Sequence, residues 1–291
     1  MTSPITIGVL ALQGAFSEHI QLLRLASQLL NPTTTTPPIT WTFLEVRTPV
    51  ELAKCDALII PGGESTTMSL VAERSGMLEP LREFVKVHRN PTWGTCAGLI
   101  LLSESANRTK KGGQDLIGGL DVRVNRNHFG RQVESFEAEL DLPFLSSITQ
   151  KASSPTNNLQ PTAVHPFHSV FIRAPVVEKI LPHTTGVQVD EEGKDDTVVA
   201  PSKTAGEGVG RDVIGREVEV MARLPGRAKA LSDSGVLAKD VGEEGDIIAV
   251  RQGNCFGTSF HPELTGDARI HVWWLGEVVQ AVNKRKEAAA V

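Results

Sequence analysis

Apolar positions along this chain fall into two kinds of run. Short, nearly unbroken runs of strand length stand at Ile5–Leu12 (ITIGVLAL), Asp56–Ile60 (DALII), Asp246–Val250 (DIIAV) and Asn254–Phe260 (NCFGTSF). Such runs predict strands covered on both faces, as in a parallel sheet. Between them, apolar residues recur at helical spacing. Ser17 is placed to cap a helix through Leu30, with Leu22, Leu25 and Leu29 along one face. Thr40–Val46 reads as a further strand and Pro49–Lys54 as a single helical turn. Thr66–Val87 reads as a helix, a break near Gly76 and a second helix from Pro80. Pro91–Leu102 (PTWGTCAGLILL) is a short strand, a sharp turn and an apolar helix. This β-α-β-α alternation predicts an α/β domain with a doubly wound, mostly parallel sheet flanked by helices.

Beyond Asn107 the pattern turns towards β-structure. Gly118–Asn125 and Ser135–Leu140 are expected to form a small ribbon, and Phe167–Ile172 a strand. Thr265 is placed to cap a closing helix over about 266–284, followed by a solvated, frayed tail KRKEAAAV. The whole chain of 291 residues is expected to be one domain carrying three insertions, at 31–39, 149–162 and 183–245. The first is rich in Thr and Pro, the second in Ser, Pro and Asn. The third holds 13 acidic against 8 basic residues, a balance of −5 that equals the net charge of the chain. That composition favours a surface excursion over core, with short periodic stretches such as Val218–Leu224 ordered within it.

The net charge gives no reason to expect a nucleic-acid or anionic-membrane partner. The N-terminus lacks a basic region ahead of its apolar run, so no secretory signal is expected. No apolar run approaches the roughly 20 residues that span a bilayer. Three widely spaced cysteines, Cys55, Cys96 and Cys255, argue against a disulfide framework or a zinc site and for a reducing, cytoplasmic setting.

The turn Gly94-Thr95-Cys96-Ala97-Gly98 has the G-x-C-x-G form of a nucleophile elbow. Small flanking residues let such a turn be sharp, and the helix behind it favours thiolate at its N-terminus. A buried structural cysteine is the competing reading. A thiol nucleophile needs a base and the base an orienter. His261-Pro262-Glu263 offers both, since residues i and i+2 of an extended segment project to the same side. H-x-E alone is a weak signal. Gly62-Gly63, after a buried strand, is placed to turn backbone N–H groups towards an oxyanion, with the Ala97 N–H as second donor. Arg126 and Arg173 suit the grip of a charged substrate end, although either could be a surface ion-pair residue. His128 and His168 read as structural or rim residues. His88, His165, His183 and His271 have no companion pattern.

Taken together, GVLALQGAFSEH, LIIPGGESTT, GTCAGLILL, RNHFGRQVESFEAEL, FIRAP and SFHPELT resemble the glutaminase subunits of pyridoxal 5′-phosphate synthase. That family is class I (triad) glutamine amidotransferase-like and serves vitamin B6 synthesis. The resemblance covers most of residues 5–182 and 246–285, and the three expansions resemble those of fungal members. It implies that Cys96 attacks the glutamine amide, His261 shuttles protons and Glu263 orients it. Gly63 and Ala97 would form the oxyanion hole. Gly63, Glu64, Ser65, Arg126, Ile172 and Arg173 would bind glutamine. It implies no cofactor and no metal, and ammonia delivery to a separate (β/α)8-barrel synthase subunit near the Leu12-Gln13-Gly14 turn. The elbow and H-P-E would serve equally in a glutaminase of another pathway, and a silent synthase-binding scaffold would keep the same fold.

Overall fold

The period-two alternation of the buried strands divides the interior between two apolar cores, one on each face of a single sheet. In β1 (Ile5–Leu10), Ile5, Ile7 and Val9 face one core and Leu10 the other. In β3 (Ala57–Ile60), Ala57 and Ile59 face the first, Leu58 and Ile60 the second. Each such Ile, Leu or Val side chain contributes about 1.5–3 kcal/mol of burial. The computed structural model describes residues 4–30, 39–107, 114–126, 135–146, 148, 166–184, 186–202, 217–224 and 245–289. Residues 31–38 of the expected insertion 31–39, the insertion 149–162, and His128 and His165 lie outside these.

Two long helices, α1 (Phe16–Leu30) and the C-terminal Arg269–Ala289, cover the first face. The second is covered by α2 (Pro49–Leu52), α3 (Ser65–Arg74), α4 (Leu78–Arg82) with its π-helical continuation Glu83–Val87, and α5 (Ala97–Leu102). Gly76, with φ of +69°, makes the break between α3 and α4 that its sequence predicts. β2 (Trp41–Val46), β1, β3, β4 (Thr92–Thr95) and the late strand Cys255–Thr258 run parallel in that spatial order. The sheet then continues through the hairpin partner Asp246–Gln252 into a mixed half containing β5 (Ser103–Asn107) and β6 (Leu120–Asn125). Among the described residues the sheet has 11 strands, and no helix is long and apolar enough to cross a membrane.

Several local expectations are corrected. Gly14, at φ +96°, brings the chain into α1 at Phe16, so Ser17 lies inside the helix and does not cap it. The buried face of α1 is His19, Ile20, Leu22, Leu23 and Ala26, while Leu25 and Leu29 are exposed. The expected ribbon changes partners: β7 (Ser135–Leu140) pairs with β8 (Phe167–Ile172) in a two-stranded sheet, and β6 joins the main sheet beside β9 (Val176–Ile180). Within 183–245, β10 (Thr197–Val199) extends the main sheet along β5, and β11 (Glu219–Leu224) pairs with β12 (Asp246–Gln252). Val198, Ala200, Ala222 and Leu224 are buried, so parts of this acidic stretch are core. The last helix begins at Arg269, where Asp267 Oδ1 accepts the Arg269 N–H, rather than at 266 with Thr265 as cap. It runs on to Ala289 through the expected frayed tail.

Candidate active site

Four chain segments meet at the carboxyl ends of parallel strands β1, β3, β4 and β13 (Cys255–Thr258), where open α/β sheets form their ligand crevice. The nucleophile candidate comes from β4. Its backbone N–H is tied to the Thr258 carbonyl of β13 at 2.7 Å, and the residue is held at φ +49°, ψ −101° immediately before α5. A left-handed φ is strained for a residue with a Cβ, and the surroundings must over-determine it. The flanking glycines make this possible by close approach. A Cβ on Gly98 would stand 2.0 Å from the Ile60 carbonyl oxygen, and one on Gly94 would stand 2.4 Å from the Gly98 carbonyl carbon. The G-x-C-x-G spacing is thus a steric requirement of packing α5 against β3 and β4.

The base follows β13. The His261 backbone N–H donates to the Val170 carbonyl of β8 at 2.8 Å, and its Nδ1 bonds Glu263 Oε1 at 2.7 Å. Both residues are buried. The segment is not extended as expected: Pro262–Leu264 is a 3₁₀ turn with His261 as its N-terminal flank. Proline at the first position of that turn, with its φ already set, brings the carboxylate back onto the ring. On the other side, Cys96 is the leading influence that raises the His261 pKa. Burial pulls the His261 pKa down, but the hydrogen bonds and charges of Cys96 and Glu263 outweigh it and raise it to about 10. An imidazolium therefore stands beside the sulfur at neutral pH. Burial works to raise the Glu263 pKa, and the facing His19 and His261 imidazoles more than offset it, so the acid is held below its ordinary value.

The diglycine corner borders this pair. A Cβ on Gly62 would lie 2.2 Å from His261 Cε1, so only glycine lets the corner close over the ring. Gly63 is exposed beside it. Gln13, from the turn after β1, accepts the Glu64 N–H through Oε1 at 2.8 Å and so fixes the strand-to-helix turn. The Glu64 carboxylate is committed to capping α3, accepting from the Thr66 and Thr67 N–H groups. Ser65 Oγ donates to Gln114 Oε1, which also accepts from Arg126 Nη1 at 2.5 Å, so Ser65, Gln114 and Arg126 form one buried group. The Ile172 carbonyl lies 3.8 Å from Cys96 Sγ. Arg173 follows it, exposed and left-handed at φ +43°. Ala97, buried, opens α5 next to the sulfur.

Other candidates fall elsewhere. His168 sits among Glu137 and Glu139 on the β7–β8 ribbon, and His183 bonds Asp121 at 2.7 Å. Cys55 and Cys255 are buried free thiols whose pKa values burial pushes up to about 12 and about 11, so neither is a nucleophile at neutral pH. Among the described residues no cluster has the make-up of a metal site. Sequence reasoning missed Gln13, Gln114 and, above all, His271. The last lies 3.0 Å from His19 at the back of the site, and a lone histidine in a helix carries no signal of that pairing.

A strained cysteine elbow, a His–Glu pair at its side and a diglycine corner on a parallel sheet define a triad-type cysteine amidohydrolase. The model of the SNO glutamine amidotransferase family matches residues 9–206 and 211–280, and the chain belongs to that family. It is 39% identical to a protein of Arabidopsis thaliana named "Probable pyridoxal 5'-phosphate synthase subunit PDX2", covering 93% of this chain and 84% of that one. It is 36% identical to the pyridoxal 5'-phosphate synthase subunit PdxT of Herpetosiphon aurantiacus, covering 93% and 99%. A solved glutamine amidotransferase superposes with a TM-score of 0.56 at 31% identity, covering 94% of this chain and 98% of the other.

Proposed function

We propose that this chain is the glutaminase subunit of a pyridoxal 5′-phosphate synthase. Cys96 Sγ attacks the side-chain amide carbon of glutamine, and the oxyanion that forms is met by the Gly63 and Ala97 N–H groups. His261 gives its proton to the leaving nitrogen as the C–N bond breaks. Ammonia departs and a thioester remains on Cys96. His261, now neutral, takes a proton from water as it attacks the thioester, and glutamate leaves as the C–S bond breaks. Glu263 accepts the Nδ1–H throughout, so that when the ring is neutral its Nε2 is the nitrogen free to take a proton. Gly63, Glu64, Ser65, Arg126, Ile172 and Arg173 bind the substrate, Arg126 and Arg173 being suited to its α-carboxylate. The ammonia passes to a (β/α)8-barrel synthase subunit docked near Leu12-Gln13-Gly14, in the cytoplasm.

The observation that supports this reading best is the His261–Glu263 pair beside Gly62, with Cys96 the leading influence raising the His261 pKa, in a chain of this family. The experiment is glutamate release from glutamine with and without a synthase subunit. Wild type is expected to be slow alone and faster in the complex, and Cys96→Ala to lose at least a thousandfold of that activity. A Cys96→Ala complex that keeps wild-type turnover would remove the assigned nucleophile.

A further inference from the structure

Behind the triad lies a second pair of imidazoles that glutamine hydrolysis by Cys96, His261 and Glu263 does not use. His19 of α1 and His271 of α6 (Arg269–Ala289) are both fully buried, and His19 Nδ1 lies 3.0 Å from His271 Nε2. His19 Nε2 faces Glu263 Oε2 at 3.4 Å and Thr95 Oγ1 at 3.3 Å. Glu263 Oε2 has no hydrogen bond among the described residues. We propose that His19, held in one tautomer by His271, is a positioning residue for Glu263, presenting its Nε2–H to the carboxylate oxygen that His261 leaves unused.

The tautomer follows from counting donors. Burial lowers the pKa of both rings, His271's well below its ordinary value, so each carries one proton. In one arrangement His271 Nε2–H donates to His19 Nδ1, and the His19 proton sits on Nε2, facing the carboxylate. Only the His271 Nδ1 lone pair then lacks a partner, and that atom makes no hydrogen bond among the described residues. In the reverse arrangement His19 aims a lone pair at Glu263, and His271 buries an N–H at that same unpartnered Nδ1. A buried orphan donor and a lone pair against a carboxylate both cost free energy, so the first arrangement wins. Glu263 is thereby clamped between two imidazoles, with Trp93 of β4 packed edge-on against both His19 and His271. The groups facing His19 are Glu263, His261 and Thr95, His271 from the C-terminal helix, and Glu18 from α1.

This inference rests on the glutaminase reading for its kinetic test, and a second measurement separates the two. In the synthase-bound enzyme, His19→Leu is expected to lower kcat about tenfold, the weight of one pKa unit. KM for glutamine should stay within about twofold, and the acid limb of the kcat profile should move to higher pH as the buried carboxylate loses its donor. His19→Gln, whose side-chain N–H₂ reaches the place of Nε2, is expected to recover most of the rate. His271→Phe leaves His19 in place but frees its tautomer, and is expected to shift the limb in the same direction. The rate of Cys96 alkylation by iodoacetamide against pH, read without glutamine, should shift likewise in His19→Leu. A wild type that alkylates but hydrolyses no glutamine would sink the glutaminase reading alone. The positioning role is overturned if His19→Leu and His271→Phe both leave the alkylation profile unmoved, or if His19→Gln performs no better than His19→Leu.

Discussion

At the scale of single residues, the site is a balance between burial and charge. His261 is an imidazole that burial should keep neutral, yet Cys96 and Glu263 hold it protonated up to about pH 10. A histidine whose pKa is higher folded than unfolded adds stability that is fully present below its unfolded pKa of 6.5. That stability is lost as pH rises through the folded value. Removing the sulfur removes the leading causes of the rise. In Cys96→Ala the His261 titration, followed by NMR of its ring protons, is therefore expected to fall well below that of wild type, and the loss of stability between pH 6.5 and 10 to flatten. An unchanged titration would mean that Glu263 alone sets the pKa. Cys96 and the H-P-E pair are legible in the sequence because each lies in a local pattern with a steric or chemical reason. The His19–His271 pair is not, because its members are 252 residues apart and neither has a neighbour that marks it.

Elements show where periodicity stops being informative. α1 carries apolar residues at 20, 22, 23, 25, 29 and 30, so more than one stripe satisfies a 3.6-residue repeat. The sheet chooses the stripe containing Leu23, and the stripe of Leu25 and Leu29 is left outside. Leu23→Ala is expected to cost about 2–5 kcal/mol, whereas Leu29→Ala should stay within about 0.5 kcal/mol, read from denaturant midpoints at constant slope. Equal losses would contradict the observed face. The ribbon shows the same limit. Ser135–Leu140 reads as a strand from its alternation, but alternation names no partner, and the pairing with Phe167–Ile172 crosses a long intervening segment.

For the whole molecule, the acidic stretch after His183 is tied to the core by a buried ion pair. Lys86, at the π-helical end of α4, bonds Glu104 of β5 and the Pro201 carbonyl just beyond β10. Glu104 also accepts the Gly119 N–H ahead of β6 at 2.7 Å. Burial pushes the Glu104 pKa up, and Lys86 is the first of the influences opposing it. Lys86→Met strands that carboxylate, and a loss of about 3–5 kcal/mol is expected at neutral pH. Because a stranded buried acid has a raised pKa, the loss should shrink as pH falls through the carboxylate range and the group takes up a proton. A loss that ignores pH would mean the pair contributes packing and no charge. Composition alone makes this stretch look like pure excursion, since acidity and low aromatic content average over residues while Val198 and Ala200 are buried one by one.

By itself the sequence determined the strands with unbroken apolar runs, the α/β class, the elbow around Cys96 and the His261–Glu263 pair. Each of these is written within a dozen consecutive residues, where sterics and periodicity act locally. Tertiary structure decided which helix face is buried, which strands pair, and that Gly62 closes over His261 while His19 and His271 stand behind Glu263. Those relations join residues far apart in the chain, and only the order of strands in the sheet brings them within reach of one another.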